Sequence, residues 1–422
     1  MPQDDHVSIR MYNIGFGDCF LLTFPAPERP RKILIDCGVH FMGRNKEQPF
    51  DEVLNQLIED IKEDGVPILD LVIATHRHQD HVSGFANEVW NDVDVREVWM
   101  PWTENYEDKQ AVEILLSQSN KAKKVHQLLD KMLTNPKLFG LDHAEQVEKI
   151  KAIKEFSENS LKNPDAMNML HHGFKRKNDI PRKYLPFRDR QLNTMRPDFL
   201  PGVTVYVMGP SFDDKVIASM EPPKAEQWFK MMEDRANTET PPVFPFHTDW
   251  SRKPAELENP NAILGRRDRR RIQSVDDETA FDLAKGVEDA VNGTSLMMMF
   301  HVGNAYLFFP GDAQHGTWQC ALKDDEWREL LTRTNFYKVG HHGSHNATPK
   351  EFVHKVLRAE SNCKAMVSVY PVKIFDQIPK DKLLADLVAL PAEYVRSDKV
   401  IDPGDPEGFV RTALYVDTKI PV

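Results

Sequence analysis

The stretch THRHQDHVSG, residues 75–84, places His76, His78, Asp80 and His81 within six positions, in the pattern HxHxDH. It directly follows the apolar run LVIA (71–74), which reads as a buried strand. A strand-to-loop junction can turn several side chains toward one point. Imidazole and carboxylate together suit zinc, manganese or iron, and two metal ions can share six or more such ligands. An isolated HxH is ordinary in a polar surface loop. The full HxHxDH at the end of a buried strand reads instead as a metal loop, with context as the warrant.

The pattern on either side of this loop is α/β. VSIRMYNIGFGDCFLLTFP (7–25) contains two apolar runs broken by the turn IGFGD, and RKILIDCG (31–38) is a third. FDEVLNQLIEDIKED (50–64) has Val53, Leu54, Leu57, Ile58 and Ile61 at helical spacing. Strand character returns in EVWMPW (97–102), GVTVYVMGP (202–210), TSLMMMFHV (294–302), NAYLFFPGD (304–312), NFYKVGHH (335–342) and AMVSVY (365–370). A helix, KDKLLADLVAL (380–390), and the strands EYVRS and GFVRTALYVD complete the chain. Two polar, mainly helical stretches interrupt this series, about 104–200 and about 212–285. The expectation is one α/β domain spanning 1–422 with two large insertions, rather than two domains in series.

Two later blocks bear on the metal loop. PGDA places Asp312 after a strand, and KVGHHGSHNATP (338–349) places His341, His342 and His345 after another. With these blocks the chain resembles the metallo-β-lactamase superfamily of hydrolases, whose signature is the HxHxDH loop. Within it, YNIGFGDCFLLTF with RKILIDCG, NGTSLMMMF with AYLFFPGDA, and KVGHHGSHNAT resemble the hydrolase domain of bacterial competence DNA-uptake channels. Four matched blocks, in order, span roughly 1–100 and 200–370; the insertions have no counterpart.

The resemblance implies an αββα sandwich with two divalent metal ions, zinc or manganese, at one edge between the sheets. It implies His76 and His78 on one metal, Asp80 and His81 on the other, Asp312 as a bridge, and His341 completing the second site. Asp80 is then central to catalysis. A water between two cations loses its proton near neutral pH and becomes the nucleophile. Within HHG the choice of His341 over His342 rests on the resemblance. His342 is left as a substrate-side or supporting group, and His345 as either a proton donor or a solvated loop residue. Asp36 is either a simple strand-end carboxylate or a support behind the metal loop. Asp18 is read as part of a turn. Many superfamily members carry one more histidine ligand before the bridging aspartate. His126, His143, His171, His172, His247 and His301 are the intervening candidates, and none stands in an obvious ligand position.

Charge and composition narrow the function classes. The chain has 422 residues, 41% apolar and 28% charged, with a formal charge of −11. An acidic balance argues against broad attraction to nucleic acid, though a local basic patch remains compatible with it. One basic run contains Lys175, Arg176 and Lys177, followed by Arg182, Lys183, Arg188 and Arg190. The other is GRRDRRR, with Arg266, Arg267, Arg269, Arg270 and Arg271. Each is either a solvated face or a track for a phosphate backbone. No apolar run approaches the ~18 residues of a membrane helix, and the start has no basic-then-apolar leader pattern. Four cysteines without CxxC pairing suggest reduced thiols and a cytoplasmic protein. The leading expectation is a phosphodiesterase or nuclease acting on DNA or RNA. The alternatives are a small-molecule phosphodiesterase or ester hydrolase, and a metal-containing subunit whose insertions bind a partner protein.

Overall fold

The computed structural model describes residues 5–136, 141, 144–157, 163–188, 193–223, 277–346, 348–357, 362–372, 377–389, 393–401 and 404–422. They form a mixed α/β structure built on two large mixed sheets. From edge to edge, the first sheet runs Phe409–Arg411, Tyr415–Pro421, His6–Tyr12, Cys19–Phe24, Arg31–Cys37, Leu71–Ile73, Val98–Pro101 and Arg182–Leu185. The second runs Thr194–Met195, Thr204–Gly209, Met297–Val302, Ala305–Phe309, Phe336–Lys338, Lys364–Val367 and Glu393–Arg396. In each sheet the pairing is antiparallel on one side and parallel on the other. The change comes at Arg31–Cys37 with Leu71–Ile73 in the first sheet, and at Ala305–Phe309 with Phe336–Lys338 in the second.

Side-chain alternation explains why so many strands read as unbroken apolar runs. Ile33, Ile35, Leu71, Ile73 and Trp99 face Phe300, Leu307, Phe309 and Phe336 in a core shared by the two sheets. Their neighbours Leu34, Val72, Val98 and Met100 face the opposite way, onto Val53, Leu54 and Leu57 of the Phe50–Asp60 helix and Leu170 of the Pro164–His172 helix. The second sheet repeats the device. Met299, Phe308 and Tyr337 turn outward onto Trp318 and Leu322 of the His315–Lys323 helix and Leu383 of the Asp381–Ala389 helix. Strands covered on both faces need apolar side chains at every position.

The two insertions meet. Helices Lys109–Thr134, Ala144–Ser157 and Asp277–Asn292 pack through Ala122, Val125, Leu129, Ile150, Ile153, Ala284 and Val287. The first stretch is also less separate from the core than its polar composition suggests. It supplies an edge strand to each sheet, Arg182–Leu185 to the first and Thr194–Met195 to the second. Among the described residues no helix is long and apolar enough to cross a membrane.

Candidate metal centre

The functional side chains gather where parallel strands end. Asp36 closes Arg31–Cys37, the HxHxDH loop follows Leu71–Ile73, Asp312 follows Ala305–Phe309, and the HHG turn follows Phe336–Lys338. All four are carboxyl ends, the side of an open α/β sheet on which ligands bind. Backbone hydrogen bonds tie the loops together. The Asp18 amide donates to the Asp80 carbonyl at 2.8 Å and the Gly38 amide to the Asp18 carbonyl at 3.1 Å.

Three of the site residues hold left-handed backbone, Asp36 at φ 57°, His341 at φ 45° and His342 at φ 53°. Such conformations cost about 1–3 kcal/mol each and persist where the surroundings enforce them. At Asp36 the result is a carboxylate turned back to accept from the Thr75 amide at 2.7 Å and the Thr75 hydroxyl at 2.7 Å, and from His81 Nδ1 at 2.8 Å. The carboxylate thus stands behind His81 at the end of its strand.

His76, His78, Asp80, His81, Asp312 and His342 are all buried. His81 Nε2 lies 3.1 Å from Asp312 Oδ2, and the ligand atoms of His76, His81 and Asp312 converge on one point. Those of Asp80, His81 and His342 converge on another. The HHG turn thus presents its second histidine. His342 Nδ1 donates to the Ser368 carbonyl oxygen at 2.8 Å and its Nε2 faces Asp80 Oδ2 at 3.2 Å. His341, the expected ligand, is only half-buried. Its amide donates to Asp312 Oδ1 at 2.9 Å, while its ring lies against Ser344 Oγ at 2.9 Å and Asn292 Nδ2 at 3.3 Å. Two successive left-handed residues swing the first ring to the rim and the second inward.

The donor set is suited to metal ions on two grounds. His76 Nδ1 lies 3.1 Å from the Thr75 hydroxyl, whose proton goes to Asp36, so His76 carries its proton on Nδ1. His78 Nε2 faces Glu288 Oε2 at 3.1 Å, which holds the other ring's proton on Nε2. The remaining ring nitrogens, His76 Nε2 and His78 Nδ1, then face each other at 3.0 Å with lone pairs and no proton between them. Burial pushes the His78 imidazole down to about 3 and, with the nearby His81 charge, holds His76 well below the ordinary histidine value. A shared cation would satisfy both lone pairs.

The second ground is charge. Asp18, Asp36, Asp80 and Asp312 are buried, as is the ammonium of Lys338 beside them. Lys338 Nζ pairs with Asp18 and lies 3.2 Å from Asp312 Oδ1. Burial alone acts to raise the Asp312 carboxyl, but His81 and Lys338 outweigh it and keep it well below the usual range. At Asp80 burial is likewise outweighed, by the His342 hydrogen bond and the His81 charge. His81 and His342 respond in the opposite sense. Burial works against their cationic forms, yet Asp312 and Asp36 raise His81, and Asp80 and Asp18 raise His342. The cluster attracts positive charge.

The other expected site residues lie elsewhere. His345 shares the HHG loop, with its Nε2 held by Glu221 Oε2 at 3.0 Å. Lys175, Arg176 and Lys177 sit at the far end of the first sheet. The Lys175 amide donates to the Val93 carbonyl at 3.1 Å and Arg176 pairs with Asp94 at 2.8 Å, both ahead of the Val98–Pro101 strand. Later basic residues of that run are consumed locally, Arg182 on the carbonyls of Leu170, Ile180 and Gly173, Lys183 on Glu97, and Arg188 on Asp108. Arg266, Arg267, Arg269, Arg270 and Arg271 lie outside the described residues. Asp18, Lys338 and Glu288 join the site without having been singled out. A lone lysine beside the apolar strand NFY was a signal for a buried, paired charge; Glu288 had none. No family model matches the chain, and no curated protein matches it significantly.

Proposed function

We propose that this protein is a hydrolase of the metallo-β-lactamase superfamily that cleaves phosphodiester bonds with the help of two divalent metal ions. The observation that carries this reading is the pair of facing imidazole nitrogens on His76 and His78, 3.0 Å apart and next to the His81–Asp312 contact. Two sheets sharing one core, with helices on both outer faces and the donors at one edge, support the superfamily assignment. In it, His76 and His78 would hold one ion and Asp80, His81 and His342 the other, with Asp312 within reach of His76 and His81. Zinc and manganese both suit imidazole with carboxylate. Bound ions of this kind supply an acidified water and positive charge for the oxygens that gain charge as the ester breaks.

The chain's own residues do the rest. Asp36 fixes the His81 ring through Nδ1, and the Ser368 carbonyl does the same for His342. Lys338 holds Asp312 in place from beneath. His345 pairs with Glu221, outside the cluster of donors.

Nucleic acid is the leading substrate class on the sequence resemblance. A small phosphodiester is the second reading, favoured by the placing of Lys175–Lys177 far from the donors and by the ion pairs that occupy Arg176, Lys183 and Arg188. The four free cysteines support placing the protein in a reducing compartment such as the cytoplasm. The deciding experiment is a panel of zinc and manganese against single- and double-stranded DNA, RNA and a chromogenic phosphodiester, using wild type and Asp80→Ala. Cleavage by wild type that is lost in Asp80→Ala is expected. Cleavage of the chromogenic ester alone selects the second reading, and no metal-dependent cleavage of any substrate sinks the proposal.

A further inference from the structure

Glu288 lies near the C-terminal end of the Asp277–Asn292 helix, which begins within the second insertion and runs out of it. Its Oε2 is 3.1 Å from His78 Nε2, with both side chains at 5% exposure or less. An imidazole has two nitrogens on opposite edges, and a carboxylate at one of them accepts its N–H. The proton of neutral His78 therefore resides on Nε2, and the lone pair on Nδ1 points at His76 Nε2. The helix is anchored at this spot by more than one contact. Asn292 Nδ2 reaches His341 Nε2 at 3.3 Å, Gln314 Nε2 reaches Asp289 at 3.4 Å, and Gln118 donates to the Ala290 carbonyl at 2.9 Å.

We infer that Glu288 is the positioning residue of the His76–His78 half of the metal centre. It holds His78 in the tautomer whose Nδ1 binds metal, and its charge makes that nitrogen a stronger donor. The inference rests on the metal-centre reading above and goes beyond it. The sequence offers no additional histidine where many relatives of the suggested superfamily carry one. Here the half-site held by His76 and His78 has a buried carboxylate behind one of its two imidazoles. Partners of this kind alter metal affinity by about 10–100-fold when removed.

The test is metal binding by the full chain, read by calorimetric titration with zinc and by the visible spectrum of the cobalt-loaded protein. Wild type is compared with Glu288→Ala and Glu288→Gln, and circular dichroism of the metal-free proteins checks the fold. In Glu288→Ala one of two sites is expected to weaken by about 10–100-fold, with a changed cobalt spectrum. Glu288→Gln keeps an acceptor oxygen without charge, so its loss should be smaller. A change in thermal midpoint with unaltered affinity and spectrum marks a merely structural role and overturns the inference. If Glu288→Ala does not fold, Glu288→Met, which keeps the volume and lacks an acceptor, is judged by the same criterion. Wild type that binds two ions, shows the expected loss in the variant and cleaves nothing upholds this inference while sinking the hydrolase reading. Wild type that binds no ion sinks both.

Discussion

Lys338 Nζ lies 3.2 Å from Asp312 Oδ1 and pairs with Asp18 on its other side, and all three side chains are at 3% exposure or less. An ammonium with so little water is sustained by its partners. Burial favours its neutral form, but Asp18 and Asp312 more than offset this and push its pKa above the ordinary lysine value. Removing one member of such a group leaves uncompensated charge behind, at a cost of about 3–5 kcal/mol. Lys338→Met should therefore lower stability by about that amount in the presence of a chelator. Added zinc or manganese should recover part of the loss, because a cation bound at Asp312 restores the charge balance. Urea unfolding with and without metal measures both. A variant as stable as wild type in chelator contradicts the account.

The second prediction separates the two histidines of the HHG turn. His342 presents Nε2 to Asp80 with its Nδ1 committed to the Ser368 carbonyl, whereas His341 stands at the rim against Ser344 and Asn292. His342→Ala should weaken one metal site by roughly 100-fold or more, beyond the loss usual for a supporting partner. His341→Ala should leave both sites nearly intact. Equilibrium dialysis with quantified metal decides it, and the reverse ranking would restore His341 as the ligand.

How far the sequence carried the site depends on what each residue requires. HxHxDH, PGDA and HHG were legible because each follows an apolar strand, and such strands end together once they pair in parallel. That the His342 ring faces Asp80 while the His341 ring lies against Ser344 and Asn292 was not legible, since adjacency in sequence says nothing about two successive left-handed residues. Glu288 was invisible for a different reason. An amphipathic helix pattern assigns a glutamate to the solvent side, and the loop it meets is more than 200 positions away. In the basic run from Lys175, composition shows the charges and not their partners. Counting charge does not reveal that Asp94, Glu97 and Asp108, distant in sequence, would pair with Arg176, Lys183 and Arg188. The α/β character, by contrast, was legible in the unbroken apolar runs of strands that are covered on both faces.

The third prediction concerns acid stability. His171 stacks on Tyr106 with ring centroids 4.4 Å apart, and its Nδ1 lies 3.1 Å from the Tyr184 hydroxyl. Burial, then the charges of His172 and Arg77, push its pKa down to about 4 from an ordinary 6.5. Between those values the unfolded chain binds a proton that the folded state refuses, so stability contributed above pH 6.5 is lost as pH falls toward 4. His171→Gln lacks this loss. The gap in urea midpoint between wild type and variant should narrow steadily on acidification through that window. Parallel profiles would remove His171 as the cause.

The last prediction tests whether the metal loop depends on close backbone approach. Gly38 packs so tightly that an added Cβ would lie 2.5 Å from the Gln79 carbonyl oxygen and 2.5 Å from the His81 amide nitrogen. Both are backbone atoms, so no side-chain rotation relieves the contact. The strand end at Asp36 or the loop at Asp80–His81 must move. The Gly38 amide also donates to the Asp18 carbonyl, so a shift there reaches the Lys338 partner as well. Gly38→Ala should cost about 1–3 kcal/mol, the range of overpacked sites. It should also weaken metal binding, because His81 belongs to both donor groups. A surface substitution of equal destabilisation is the control. Stability lost with metal affinity intact would mean that the loop keeps its geometry when pushed, and that the tight packing at Gly38 serves folding alone.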